Sequence, residues 1–434
     1  MEVSYVLFKP EFSWQFLTPD QIQSKTIRAL RNHIKHLRND SPYYRELLGD
    51  FDPESVETLE DFAALPFTTR ELLCRDWYSF INGGVGSIVE TVVTQGAAGT
   101  PLHFVYSRND MDRLAFGEAL SLHSCGIGGQ DRIEILYGLD HSSSGISFYH
   151  GAMLLGGNVS RSGVIPASVF KNHIQRFLPT VLVGVPSELK RLAEDLEKTG
   201  LDVSGSSVEK LVCPRESLYD QNLAPNPLSL KLEELWGARV FSVYNMTEIS
   251  ASFSDCKMRS GLHSRPELVH IEIIGQDNTP VPDGTPGELV VTPLGNEAMP
   301  LLRYRTGDIT YIVPGECECG RSSPRLGPVL GKKDKLLLQN GAIIYPLNVI
   351  NVLDSIEELA DYAVVVEDNN STSDRITLQA AAPAACVEKI ANKLRAEANV
   401  SFPILISNSA TIQSLRKSFR SRERVIDKRV RKSN

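Results

Sequence analysis

Apolar positions between residues 21 and 48 recur every three to four residues, with Ile22, Ile27, Leu30, Ile34 and Leu37 on roughly one face among Arg, Lys and His. That period predicts an amphipathic helix. From about 88 to 330 the pattern alternates between short β-rich runs and helical stretches. SIVETVVT leads into TQGAAGTP, and Asp110 to Ser124 reads as a helix. RIEILYG and PTVLVGVP read as strands, while SELKRLAEDLEKTG reads as an amphipathic helix closed by Gly200. Such alternation predicts α/β architecture, with sheets covered by helices. VHIEIIGQDNTPVPDGTPGELVVTPL instead alternates residue by residue around D-N and D-G turn signals, and predicts antiparallel strands. Beyond GKKDK lie about 100 residues of α+β pattern: a helix near 346–358, strands YAVVVE and RITLQAAA, and helix CVEKIANKLRAEA. The best domain boundary is this polar run, with 1–331 before it, 332–334 within it and the α+β segment 335–434 after it.

Composition changes this picture little. The 434 residues, 42% hydrophobic and 23% charged, suit a globular chain of two or three domains. A net charge of −8 gives no general attraction to nucleic acid, yet it is uneven. Nine Lys/Arg against Glu423 and Asp427 make residues 416–432 strongly basic. Such a tail is either a solvated terminus or a segment that closes over phosphates. Seven cysteines form an odd, sparse set that reads against a disulfide framework. The N-terminus lacks the pattern of a signal peptide, and no apolar run has the length of a membrane span. A cytoplasmic protein without a membrane partner is expected.

Two constellations carry chemistry. EAMPLLRYRTGDIT (297–310) sets two guanidiniums and a carboxylate beside a glycine turn. Asp308 could accept both hydroxyls of a ribose and an arginine such as Arg305 could balance phosphate charge; a surface ion pair is the plainer alternative. Cys256-x₆-His263 and Cys317-x-Cys319 supply the four N/S ligands of a closed tetrahedral zinc site, or are scattered thiols and a satisfied histidine.

Taken in order, TQGAAGTP, YNMTE, GLH, PDGTPGELVVTPLGNEAMPLLRYRTGD, CECGR and GKKDKLLLQNGAIIYP resemble the phenylacetate–CoA ligase branch of the adenylate-forming superfamily over nearly the whole chain. The resemblance implies a large N-terminal domain, a small mobile C-terminal domain, and a hinge at Asp334. It also implies activation of a small carboxylic acid with Mg-ATP, then transfer from acyl-adenylate to a thiol, either coenzyme A or a carrier protein. Carried over by position, Gly96 and Gly99 belong to the phosphate loop with Thr94 at its entry. Thr247 lies near the α-phosphate, Glu248 near the magnesium, Tyr244 beside the adenine and Asp308 at the ribose. Lys332 stands in the hinge motif. The stretch 137–151 lines the acyl pocket, where Tyr137, Phe148 and Tyr149 could stack on an aromatic acid, with Glu216 nearby and His141 as a candidate general base. A structural metal at Cys256, His263, Cys317 and Cys319 is implied as well. The resemblance leaves a homodimer open.

This sequence departs from the family pattern at several of these places. Ala97 and Ala98 replace loop hydroxyls and Thr100 replaces the loop lysine. Pro214-Arg215-Glu216 stands for a glycine-glycine-glutamate stretch, and Asn245 for a glycine. Ser421 falls at the C-terminal lysine, leaving Lys417 or an adjacent arginine to supply that charge. Backbone N–H groups survive such changes, so a phosphate nest can persist. An alternative on the same fold is a homologue that binds an acyl group or acyl thioester without adenylation; a scaffolding protein is a third class.

Overall fold

The structure, a computed structural model, describes residues 13–83, 88–95, 101–138, 143–370, 373–418 and 424–429. The chain divides into two compact units: 1–218, 229–306 and 310–328 form the first, and 219–228, 307–309 and 329–434 the second.

The first unit begins with helix Pro19–Asp40, opened by a capping box between Thr18 and Gln21. Its buried face is Ile22, Thr26, Leu30, His33, Ile34 and Leu37. Ile27 is only half-buried, because successive steps of four from Ile22 select Thr26 and Leu30. The helix ends at Ser41, where Pro42 starts a separate short helix, Pro42–Leu48. Proline cannot donate the backbone bond that one continuous helix to residue 48 would need.

Among the described residues the largest sheet has eight strands, in the order Arg325–Leu326, Leu262–His263, Ala251–Ser254, Arg239–Met246, Lys210–Pro214, Val181–Val183, Arg132–Ile135 and Asn158–Arg161. The last five run parallel; the first three join antiparallel. Helix cover explains why Val181, Leu182 and Val183 are all fully buried rather than alternating. Helices Arg108–Ser124 and Ser144–Leu154 cover one face, placing Leu122, Phe148 and Ala152 against Ile133, Ile135, Val183 and Val212. Strands Val269–Ile274 and Gly287–Pro293 form the expected antiparallel pair, turning through Asn278 and Gly284, both at positive φ.

The second unit holds a four-stranded sheet in the order Ile404–Ile406, Ser373–Ala381, Asp361–Asn370, Val425–Asp427. Helices Pro346–Asp354 and Val387–Ala398 share its main core, while Ile412 of helix Ser409–Ser418 packs with Ala363, Ala381 and Ile426. A hairpin joins Leu337–Gln339 to Ala342–Ile344 through Asn340 (φ 53°) and Gly341 (φ 79°). Two consecutive positive φ values are the type I′ geometry that Asn-Gly favours. Among the described residues no helix is long and apolar enough to cross a membrane.

Candidate active site and metal centre

The central strand Arg239–Met246 ends in a single 3₁₀ turn, Thr247–Ile249. Ser250 at φ 52° then reverses the chain into the antiparallel strand Ala251–Ser254. Thr247 and Glu248 therefore sit at the carboxyl end of a parallel-sheet strand, the usual place for ligands in α/β folds. Both are buried, Glu248 at 3% exposure. Glu248 Oε1 accepts from Arg70 Nη1 at 3.2 Å and from the Tyr304 hydroxyl at 3.4 Å. Burial, reinforced by the Glu248 charge, raises the Tyr304 phenol well above its ordinary range and keeps it a donor. The Thr247 hydroxyl lies 3.3 Å from Ser143 Oγ, and its carbonyl accepts from Tyr106 at 3.0 Å.

Arg70 escaped the sequence reading. Its Nη1 also donates to Thr94 Oγ1 at 3.1 Å and its Nη2 to the Thr94 carbonyl at 3.4 Å, so one guanidinium ties Glu248 to the entry of the glycine loop. Gly96 and Gly99 lie outside the described residues. The RYRTGD segment fixes where Arg70 stands. Thr68 N–H donates to the Arg303 carbonyl at 3.1 Å and Arg305 N–H to the Thr68 carbonyl at 2.9 Å, a parallel bridge opposite Tyr304. The only advance signal was Arg70 heading a short helix after two threonines, Thr69 serving as its cap.

The arginines of RYRTGD have partners of their own. Arg303 forms a buried double contact with Glu272 at 2.8 and 3.0 Å and donates to the carbonyls of Ala63 and Leu65. Arg305 pairs with Glu288 at 2.5 and 3.0 Å and reaches Asn278 at 2.8 Å. Both cations lie over the Phe67 ring, at 4.1 and 4.9 Å. Expected as a phosphate ligand, Arg305 is thus placed on a carboxylate. In the second unit, buried Asp308 pairs with Lys332 Nζ at 2.8 Å across an antiparallel bridge. Tyr244, half-buried, donates to Met246 Sδ at 3.5 Å and lies 6.1 Å from the Phe253 ring.

The acyl-pocket set divides. Tyr137 is nearly buried, whereas Phe148 is fully buried in the sheet core. The Glu216 carboxylate accepts from Ser187 N–H and Oγ, both at 2.8 Å, and so caps the first turn of helix Pro186–Lys198. Beside it Arg215 is exposed, at φ 77°, with its guanidinium 5.6 Å over the Tyr137 ring. His141 lies outside the described residues.

Cys256, His263, Cys317 and Cys319 converge, their ligand atoms all within 4.8 Å of one another. Cys256 follows strand Ala251–Ser254, His263 sits in strand Leu262–His263, and the other two share a tight turn closed by Gly320 N–H on the Cys317 carbonyl. The Cys256 and Cys317 sulfurs are 3.7 Å apart, and Cys319 Sγ is 3.4 Å from His263 Nε2. Bonds of about 2.3 Å to sulfur and 2.0–2.1 Å to nitrogen give tetrahedral edges of about 3.8 and 3.5 Å, so the set fits a zinc-sized ion. A disulfide needs about 2.05 Å between sulfurs. His263 Nδ1 lies 3.0 Å from Ser323 Oγ, which orients Nε2 toward the thiols. Burial, with Arg265, Arg321 and Arg325 nearby, lowers His263 to about 3 and keeps the imidazole neutral. Burial raises Cys256 to about 12; a coordinated divalent ion is what turns such a thiol into thiolate.

Four of the basic residues described in the tail pair with carboxylates of their own unit. Arg416 pairs with Asp361 at 2.5 Å, Arg424 with Asp354, Lys428 with Glu367 at 3.3 Å, and Arg429 with Asp374 and Asp427 at 3.0 and 2.7 Å. Among the described tail residues, only the exposed Lys417 has no carboxylate partner. Ser421 lies outside them.

No family profile matches the chain. It is 30% identical over 384 residues to a phenylacetate–coenzyme A ligase of Thermus thermophilus, covering 86% of this chain and 84% of the relative. A Pseudomonas putida protein of the same name is 26% identical, with 85% of each covered. Among solved structures, 2-hydroxyisobutyryl-CoA ligase in its postadenylation state matches with a TM-score of 0.84 at 20% identity, covering 95% of this chain and 91% of that one. This fold likeness joins the sequence relationship and the buried Thr247-Glu248 turn at the end of the central strand. The chain belongs to the phenylacetate–coenzyme A ligase family.

Proposed function

We propose that the protein is an acyl-coenzyme A ligase that activates a small carboxylic acid with Mg-ATP. The acid's carboxylate oxygen attacks the α-phosphorus and pyrophosphate departs, leaving acyl-AMP. The thiol of coenzyme A then attacks the acyl carbon, loses its proton and expels AMP. The observation that carries this reading is buried Glu248 tied through Arg70 to Thr94 at the loop entry, in a chain of this family.

The residues divide the work by charge. Thr247 offers a hydroxyl toward the α-phosphate and Glu248 a carboxylate for magnesium, whose role is to offset phosphate charge. Asp308 holds the ribose, Tyr244 flanks the adenine, and Gly96 and Gly99 leave backbone N–H groups for the outer phosphates. Lys332 pairs with Asp308 until the ribose takes its place, and Asp334 is the hinge. Lys417 is the tail cation for the α-phosphate. Tyr137 borders the acyl group, with His141 in the same stretch. Cys256, His263, Cys317 and Cys319 hold a structural zinc; four protein ligands leave no position for substrate.

Incubating the protein with Mg-ATP, coenzyme A and a panel of aromatic and short aliphatic acids, then identifying thioesters by mass spectrometry, tests this. A thioester that needs ATP is the expected outcome. A second reading, acyl binding without ATP, rests on Ala97, Ala98 and Thr100; thioester binding with no ATP-dependent product would favour it.

A further inference from the structure

Thr247 is held at its carbonyl and at its hydroxyl. The carbonyl accepts from the Tyr106 hydroxyl at 3.0 Å, from Ser250 N–H at 3.1 Å and from Ser250 Oγ at 3.2 Å. The hydroxyl lies 3.3 Å from Ser143 Oγ. The side chains of Ser143 and Ser250 also reach the Tyr106 phenol. We infer that Tyr106 and Ser143 are positioning residues, which keep the Thr247 hydroxyl in the orientation that acyl-adenylate formation needs; the inference rests on the adenylation reading above.

Both partners are themselves anchored. Tyr106 closes strand Pro101–Tyr106 and is fully buried, its ring 5.3 Å from that of Phe104. The next residue, Ser107, forms a capping box with Asp110 at the head of helix Arg108–Ser124, and the Asp110 carboxylate accepts from the N–H groups of Glu297 and Ala298. Ser143 immediately precedes helix Ser144–Leu154, whose Phe148 lies in the sheet core. Burial raises the Tyr106 phenol above its ordinary range, so it stays protonated and donates. Thr247, by contrast, sits in a single 3₁₀ turn between two strands, with no helix of its own to fix it. A hydroxyl rotates to suit its partners, so Tyr106 sets the peptide plane and Ser143 sets the hydroxyl. Misplacing a catalytic group by about 1 Å can cost about 10²-fold in rate.

Single-turnover acyl-adenylate formation by the full chain, with Mg-ATP and the acid that gives most thioester in the panel above, tests this in a mutant cycle. Tyr106→Phe and Ser143→Ala should each slow the step about 10-fold. Calorimetry should find the Mg-ATP affinity of both within about 3-fold of wild type. Thr247→Val should slow the step about 10²–10³-fold. Added to Thr247→Val, either change should slow it by less than about 2-fold more, because residues that act through one hydroxyl are not additive. A merely structural contribution would slow both backgrounds alike. Equal slowing in the two backgrounds, no slowing in the wild-type background, or a rate loss matched by lost Mg-ATP affinity overturns the inference. Thermal unfolding runs alongside, and if Tyr106→Phe does not fold, Ser143→Ala decides by the same criterion. Wild-type protein that is folded and forms acyl-adenylate with no acid of the panel overturns the adenylation reading itself, and the inference with it.

Discussion

Arg70 Nη1 stands 3.2 Å from Glu248 Oε1 although 178 positions separate the two residues. Short helix Arg70–Arg75 and the turn after the central strand are brought together by the RYRTGD segment, which runs beside residue 68. That segment therefore does structural work through its arginines.

Replacing Arg303 by methionine is expected to destabilise the protein by about 3–5 kcal/mol, since Glu272 would be left buried without its partner. Arg305→Met likewise removes the cation from buried Glu288 and should cost about 3 kcal/mol, with the KM for ATP unchanged. Urea unfolding and steady-state kinetics check both. A rise in that KM for Arg305→Met would return Arg305 to the nucleotide site.

Protein purified without chelator should contain one zinc per chain. Cys317→Ser should abolish it and lower the unfolding midpoint by roughly 5–10 °C, because structural metal binding is part of folding free energy. Metal analysis of both proteins decides the matter: no zinc in the wild type removes the metal centre.

Glu118 is a pH-dependent element of the core. It accepts from Ser252 and Ser147, the latter at 3.3 Å, and burial raises it from 4.5 to about 7. The native state thus holds a proton that the unfolded chain gives up, and stability falls as pH rises from about 4.5 to 7. Glu118→Gln should flatten that decline, gaining roughly 2–3 kcal/mol relative to wild type at pH 8 compared with pH 4. Denaturant titrations across pH measure it; an unchanged slope would contradict the assignment.

Among the described residues of the tail, Lys417 is the exposed cation without a carboxylate partner. Lys417→Ala should slow acyl-adenylate formation by about 10²–10³ with thermal stability unchanged. Wild-type single-turnover rates in the variant would move the role to another basic residue.

Much of this was legible in sequence because the signals were local or came as an ordered set. The Cys256–His263 and Cys317–Cys319 spacings announced a four-ligand cluster, and the core strand Val181–Val183 announced itself as an unbroken apolar run. What stayed hidden depended on distant partners. Arg70 gains meaning only from Glu248 and Thr94, and Arg305 reads as a phosphate ligand until Glu288 is seen beside it. Glu216 looks like a pocket residue from its motif but caps the helix after Pro186. Even the first helix shows the limit: counting apolar residues chose Ile27, while geometry buried Thr26.

Carboxylate-dependent ATP–pyrophosphate exchange, compared between wild type and Glu248→Gln, tests the central claim most directly. Exchange in the wild type, stimulated by a cognate acid and reduced about 10²–10³-fold in the variant, is the predicted result. Wild-type protein that stays folded and exchanges no label with any acid, or a Glu248→Gln variant that exchanges at the wild-type rate, would contradict it.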